Sequence, residues 1–145
     1  MNWSAAVRAG LLAGAVLLVV PQGSPWAGMS FFSGVVMGRT IGSWGTWPPL
    51  VVLMLHLGVA VVYTFAIAAI VKNFKSWRGI LVGGLVGLAL YPLNFAFVAM
   101  LIPSLVGGEF RPAFTHLVFG LFAAGAYKGI ARRQGQEVME REQRA

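Results

Sequence analysis

Apolar residues fall in long runs separated by short polar or proline-rich breaks. The first, Val7 to Val20, is interrupted only by Arg8 and stops at Pro21-Gln22-Gly23-Ser24-Pro25, a cluster that no helix crosses easily. The second, Pro49 to Val71, has His56, Tyr63 and Thr64 as its only polar side chains and ends in the basic stretch Lys72-Asn73-Phe74-Lys75-Ser76-Trp77-Arg78. The third, Gly79 to Ile102, is interrupted by Pro92 and Asn94, and the fourth, Pro112 to Ile130, leads into Arg132 and Arg133. A helix needs roughly 20 apolar residues to cross a bilayer, so the pattern predicts four transmembrane helices, the first of them the shortest. A basic residue ahead of a short apolar core is also the shape of a signal peptide, which is the competing reading of the first run.

Between the first two runs, Ser24-Pro25 has the form of a helix N-cap followed by proline in the first turn, opening a segment from Trp26 to Met37 with Met29, Phe32 and Val36 at helical spacing. It is too short to span. Trp26, Trp44 and Trp47 suit the membrane interface, where an indole buries its rings and keeps its N–H wet. The expectation is an interfacial or re-entrant helix, then a glycine-rich loop from Gly38 to Pro49. Together these elements describe an all-α polytopic membrane protein: one four-helix transmembrane domain over residues 1–133 and a polar cytoplasmic tail over 134–145, frayed or helical in water.

Gly10-Leu11-Leu12-Ala13-Gly14, opening the first run after Arg8, matches Gly79-Ile80-Leu81-Val82-Gly83, opening the third after Arg78. His56-Leu57 and His116-Leu117 match in the second and fourth. These coincidences suggest two parallel copies of a helical hairpin, related by an axis along the membrane normal; chance recurrence of Gly/Leu motifs in apolar helices is the other reading. Gly79, Gly83 and Gly87 form a tandem GxxxG stripe, and Gly10/Gly14 and Gly125/Gly129 repeat its spacing. Glycine lets backbones approach closely in lipid. Packing within the monomer is the favoured use of these stripes, and dimerisation the alternative.

Composition sharpens this picture. Of 145 residues, 58% are hydrophobic and 10% charged, and the four acidic residues are all Glu; a soluble domain carries about a quarter charged residues. Cysteine is absent, which removes disulfides, thiolate metal sites and thiol nucleophiles. The net charge of +7 is concentrated at the ends of the apolar runs, which points to membrane topology and away from nucleic acid. By the positive-inside rule, the Lys72 to Arg78 loop and the Lys128 to Arg133 flank face the cytoplasm and both termini lie inside, with Arg8 in agreement and Arg39 and Arg111 dissenting. Lys72, Lys75, Arg78, Lys128, Arg132 and Arg133 are then expected to form one cationic rim that attracts anionic lipid headgroups.

Polar side chains inside a membrane are expensive and by default functional. His56 lies roughly 10 Å below the outer end of its run, at about 1.5 Å per residue, Asn94 at similar depth, and His116 somewhat shallower. Tyr91, Thr115, Glu109 and Arg111 could complete a cluster on that side. Three uses compete: a structural hydrogen-bond network; bis-His ligation of haem b by His56 and His116; and a quinone, lipid or small-ligand pocket including Asn94 and Tyr91. Because a polar side chain facing lipid would leave its donors unpaired, His56, Asn94 and His116 are expected to approach one another in the outer half of the bundle; the haem and shared-pocket uses require it. Catalytic constellations are missing: no paired carboxylate in a span, no Asp for a triad, no HExxH, no phosphate-binding loop and no third metal ligand. No enzymatic activity and no cofactor is therefore the leading expectation.

Gly23-Ser24-Pro25-Trp26, the run LHLGVAVVY from Leu55, GLALYPLNF from Gly87 and FTHLVFGLFAAGAYK from Phe114 resemble a group of short bacterial four-helix integral membrane proteins of unknown function. Some of that group carry a sodium:proline symporter label, although a symporter of that class is several times longer. The resemblance covers most of the chain. It implies a multi-pass protein of the bacterial inner membrane and supplies no catalytic residues. The function expected from residues and resemblance is a non-catalytic accessory or structural subunit, packing against itself or a larger complex, conceivably a respiratory one. The alternatives are a haem, quinone or small-ligand binding protein, and a small oligomeric channel or transporter.

Overall fold

Each long apolar run becomes one α-helix in the computed structural model of the chain, which describes residues 1–19, 49–101 and 111–144. We label them α1 (Trp3–Val19), α2 (Pro49–Val71), α3 (Ser76–Leu101) and α4 (Arg111–Arg144). No strand occurs among the described residues. The expected interfacial helix from Trp26 to Met37 lies outside them. Three helices, α2, α3 and α4, are long and apolar enough to cross a membrane; α1, at 17 residues, rises about 26 Å at 1.5 Å per residue.

Local chemistry sets the helix ends. Asn2 caps α1, its Oδ1 accepting from the Ala5 N–H at 3.0 Å, so α1 starts one turn before the expected Val7. Pro49 opens α2, where its missing N–H has no helical partner to lose. α2 closes in a tight turn, Phe74 N–H donating to the Val71 carbonyl at 3.0 Å, and α3 begins at once. The expected interruption at Pro92 does not break α3, which continues to Leu101; proline removes one backbone bond, and packed membrane helices absorb that loss. α4 does not stop at Ile130 but runs 34 residues, about 51 Å, so that 134–144 continues the helix. Glu137 lies four residues from both Arg133 and Arg141, and Glu140 from Arg144, spacings that support an exposed helix.

Sequential helices run antiparallel. Along α1 and α2, Trp3 meets Phe65 edge-on at 5.3 Å between ring centroids, Gly10 meets Val61, and Gly14 meets Ala60 and Leu57. Along α3 and α4, Gly79 meets Lys128, Gly83 meets Ala124 and Gly120, and Gly87 meets Gly120 and His116. The glycine stripe of α3 is therefore used inside the monomer. Each hairpin sets two glycines four residues apart, Gly10/Gly14 or Gly83/Gly87, around a small residue one turn after a histidine, Ala60 or Gly120. On the first helix of each pair the correspondence is shifted one turn from the sequence match, which aligned Gly14 with Gly83.

The interior is made of small side chains. Ala5, Ala6, Ala9, Ala13, Ala60, Ala68, Ala123 and Ala124 are buried with Ile67, Val71, Phe119 and Tyr127, whereas Leu12, Met54, Val62, Leu81, Leu85, Leu93, Met100 and Phe122 are exposed. Bulk on the outside and small residues within is the reverse of a water-soluble core.

Three polar contacts bring the chain's ends together. Asn2 Nδ2 donates to Gln134 Oε1 at 2.7 Å, the Asn2 backbone N–H donates to Tyr127 Oη at 3.4 Å, and Lys128 Nζ donates to the Lys72 carbonyl at 3.0 Å. The start of α1, the α2–α3 turn and the 127–134 segment of α4 thus occupy one end of the bundle.

Candidate functional site

Tyr63, on the interior side of α2, is the hub of the polar residues between the helices. Its hydroxyl donates to Asn94 Oδ1 on α3 at 2.9 Å. Its ring lies 6.4 Å from that of His116 and 6.4 Å from that of Phe119, both on α4. Tyr91, one turn before Asn94 on α3, meets the His116 ring edge-on at 5.6 Å. Asn94, Tyr91 and His116, read from the sequence as one cluster, are brought together around Tyr63, with Thr115 buried beside His116 in α4. Thr64 is buried, and its hydroxyl donates to the Ala60 carbonyl of its own helix at 2.7 Å.

His56 lies two turns before Tyr63 on α2, about 10 Å along the axis, and bonds to α1. Its Nε2 is 2.9 Å from the Gly14 carbonyl; a carbonyl only accepts, so Nε2 carries the proton. Gly14 permits this approach, since a methyl group there would lie 3.7 Å from Nε2 and 2.9 Å from the Ala60 Cβ. Iron ligation through Nε2 would require that bond to break. No group of three or more His, Cys, Asp or Glu that could hold a metal occurs among the described residues.

Tyr63 was the residue the sequence reading did not place in the cluster, although it sits two turns from His56 on the same helix face. The Tyr63–Asn94 bond joins α2 to α3, and bonds of this kind in membranes average about 0.6 kcal/mol, with a maximum of about 1.7. Tyr63→Phe is expected to lower stability in mild detergent by that amount. The Tyr63→Phe/Asn94→Leu double variant should recover most of it, because no amide is then left without its partner. Thermal unfolding of the three variants checks both steps.

The expected cationic rim is present with one exception. Lys72, Lys75, Arg78, Arg132 and Arg133 are exposed at the end defined above. Lys128 instead folds its stem over Gly79 and donates from Nζ to the carbonyls of Lys72 and Phe74. It holds the α2–α3 turn to α4 and satisfies carbonyls that the end of α2 leaves open. A methionine at this position keeps the stem and loses both bonds, so Lys128→Met should loosen the turn, read as faster amide exchange at Lys72 to Lys75.

Compared with known protein families, curated proteins and solved structures, the chain matches none.

Proposed function

We propose that the chain is a small multi-pass membrane protein with four crossings and cytoplasmic termini, acting as a non-catalytic subunit of a larger membrane assembly or a homo-oligomer. The observation that carries the reading is the inverted packing: the buried interior is made mostly of alanine and glycine, while many leucines, methionines and valines and several aromatic residues are exposed. In water such a surface would aggregate, whereas in lipid or against apolar partner helices it is satisfied. The interior polar groups support the non-catalytic part, because His56, Tyr63, Asn94 and Thr64 are bonded to neighbouring helices or to their own backbone. With the basic turn 72–78 and the 128–133 segment at one end, the positive-inside rule puts that end in the cytoplasm. The bacterial inner membrane is the setting that the sequence resemblance favours.

Mild solubilisation from the native membrane, followed by sizing and identification of co-purifying chains, tests the proposal. A stable complex or defined oligomer is expected. A monodisperse, partner-free monomer under all mild conditions would overturn the subunit reading.

A second reading has its own observation. Tyr63 and Tyr91 meet the His116 ring, with Phe119 against Tyr63 and the Asn94 amide bonded to the Tyr63 hydroxyl, a combination suited to a flat apolar ligand carrying a carbonyl, such as a quinone. Extraction of the purified protein with organic solvent would recover a stoichiometric quinone if this reading holds.

A further inference from the structure

The exposed cations at the basic end are not equivalent. Lys128 is tied to the turn it caps, and the same contact seats the backbone of Lys72 and Phe74, the residue before Lys75, against α4. Arg132 stands one turn beyond Lys128, about 40° round the helix, whereas Arg133 stands about 140° round it, at roughly 100° per residue. Arg132 therefore continues the Lys128 stripe along the turn and Arg133 points away from it. Their neighbours differ too: Arg133 has Glu137 four residues on, at ion-pair spacing, whereas Arg132 has Gln136. Before Glu137 the only acidic residue is Glu109, so no carboxylate in the turn offsets Lys72, Lys75 and Arg132.

Aromatic surface flanks this group. Phe74 is 43% exposed and Trp77 59% exposed, and Arg78 lies over the Trp77 ring at 5.1 Å. Aromatic side chains with a wet edge are placed this way where headgroups meet acyl chains.

We infer that Lys72, Lys75 and Arg132 form a headgroup site for an anionic phospholipid at the seam between the α2–α3 turn and α4, with Phe74 and Trp77 against its glycerol and upper acyl region. The inference rests on the membrane reading above. It commits to a lipid rather than a soluble anion because apolar surface adjoins the cations and because the helices that carry them enter the bilayer there. It also divides the six expected rim residues by role: Lys72, Lys75 and Arg132 bind the phosphate, Lys128 builds the site, Arg78 pairs with Trp77, and Arg133 lies outside.

The full-length protein in phosphatidylcholine bilayers, probed with spin-labelled phosphatidylglycerol and spin-labelled phosphatidylcholine, tests this through the fraction of each label that the protein immobilises. Preferential immobilisation of phosphatidylglycerol is expected. Lys75→Gln and Arg132→Gln should each reduce that preference about fivefold at low salt, the equivalent of about 1 kcal/mol per basic residue near the surface. The Arg141→Gln/Arg144→Gln variant, which removes twice the charge of either single variant from the far end of α4, should leave it unchanged. Equal loss in both sets would show diffuse attraction and overturn the site, as would no preference in the parent protein. Displacement of the labelled lipid by soluble glycerol phosphate would assign the cations to free anions and also overturn it. Failure to enter the bilayer at all, seen as release by alkaline carbonate, would instead refute the membrane reading.

Discussion

Gly120→Leu is expected to prevent α3 and α4 from closing, with a loss of stability at or above the upper end of the usual overpacking range of about 1–3 kcal/mol. The reason lies in backbone contact. A methyl group on Gly120 would collide with the Gly83 carbonyl and lie 3.0 Å from the Gly87 Cα, and one on Gly87 would collide with the His116 carbonyl and lie 2.8 Å from the Gly120 Cα. A flexible side chain could move aside; two helix backbones can only separate. Separation would also pull His116 from Tyr91, so the aromatic cluster should be lost with the helix contact. Gly58 and Gly129 are the controls, since an added methyl meets nothing within 4 Å at either position. Alanine there should be neutral or stabilise by up to about 1 kcal/mol, because glycine is the poorer helix former. Thermal unfolding in one detergent orders the series.

Gly10→Leu should act more locally and detach α1. A methyl on Gly10 would lie 2.7 Å from the Val61 Cα, again backbone, whereas at Gly14 the nearest atoms belong to the side chains of Ala60 and Leu57. Apart from Trp3 against Phe65 and Leu17 at its other end, α1 bears on the rest of the bundle through alanines and these glycines, so its middle has little apolar bulk to hold it once the close approach is lost. A destabilisation of about 2–3 kcal/mol is expected, confined to α1 and its contacts with Tyr127 and Gln134. The sequence contains no cysteine, so in the Ser4→Cys/Gln134→Cys variant, whose parent side chains meet at 3.4 Å through the far end of the glutamine, a short bifunctional thiol reagent that spans the shorter cysteines should give an efficient cross-link. Adding Gly10→Leu should abolish most of that cross-link while helical content falls little. Unchanged cross-linking would mean that α1 is not held through Gly10.

How much of this was legible in the sequence varies with the physical signal. The second apolar run coincides with α2 because Pro49 starts it and Lys72-Asn73 ends it, both strong local signals. The start of α1 is also set locally: Asn2 is a good N-cap and places the first turn, Trp3 to Ala6, ahead of Val7, where the continuous apolar run begins. The polar stretch after Ile130 ends the apolar run but leaves the tail frayed or helical as far as polarity alone decides; Arg133, Glu137 and Arg141, at i,i+4 spacing, keep the helix going. Glycine spacing announced close packing, and the alanines at 5, 6, 9 and 13 carried the same message less visibly. The candidate site was harder to read. Asn94, Tyr91 and His116 could be grouped by depth, but nothing in a one-dimensional pattern aims the Tyr63 hydroxyl at Asn94 or turns His56 toward the Gly14 carbonyl. Those choices depend on which helix faces meet, and that is set by the small residues lining each seam. Lys128 was likewise read as a free cation because its partners are backbone carbonyls more than fifty residues away, invisible to side-chain patterning.

The proposed even number of crossings, which would put the start of α1, the α2–α3 turn and residue 134 on one membrane face, is tested most directly by impermeant maleimide labelling. Ser4→Cys, Lys75→Cys and Gln134→Cys variants, each made singly, would be labelled in sealed vesicles of known orientation. Reaction of all three from the same, cytoplasmic face is the expected result. Reaction of Ser4→Cys and Lys75→Cys from opposite faces would mean that α1 and α2 do not both cross, and would contradict the four-crossing arrangement.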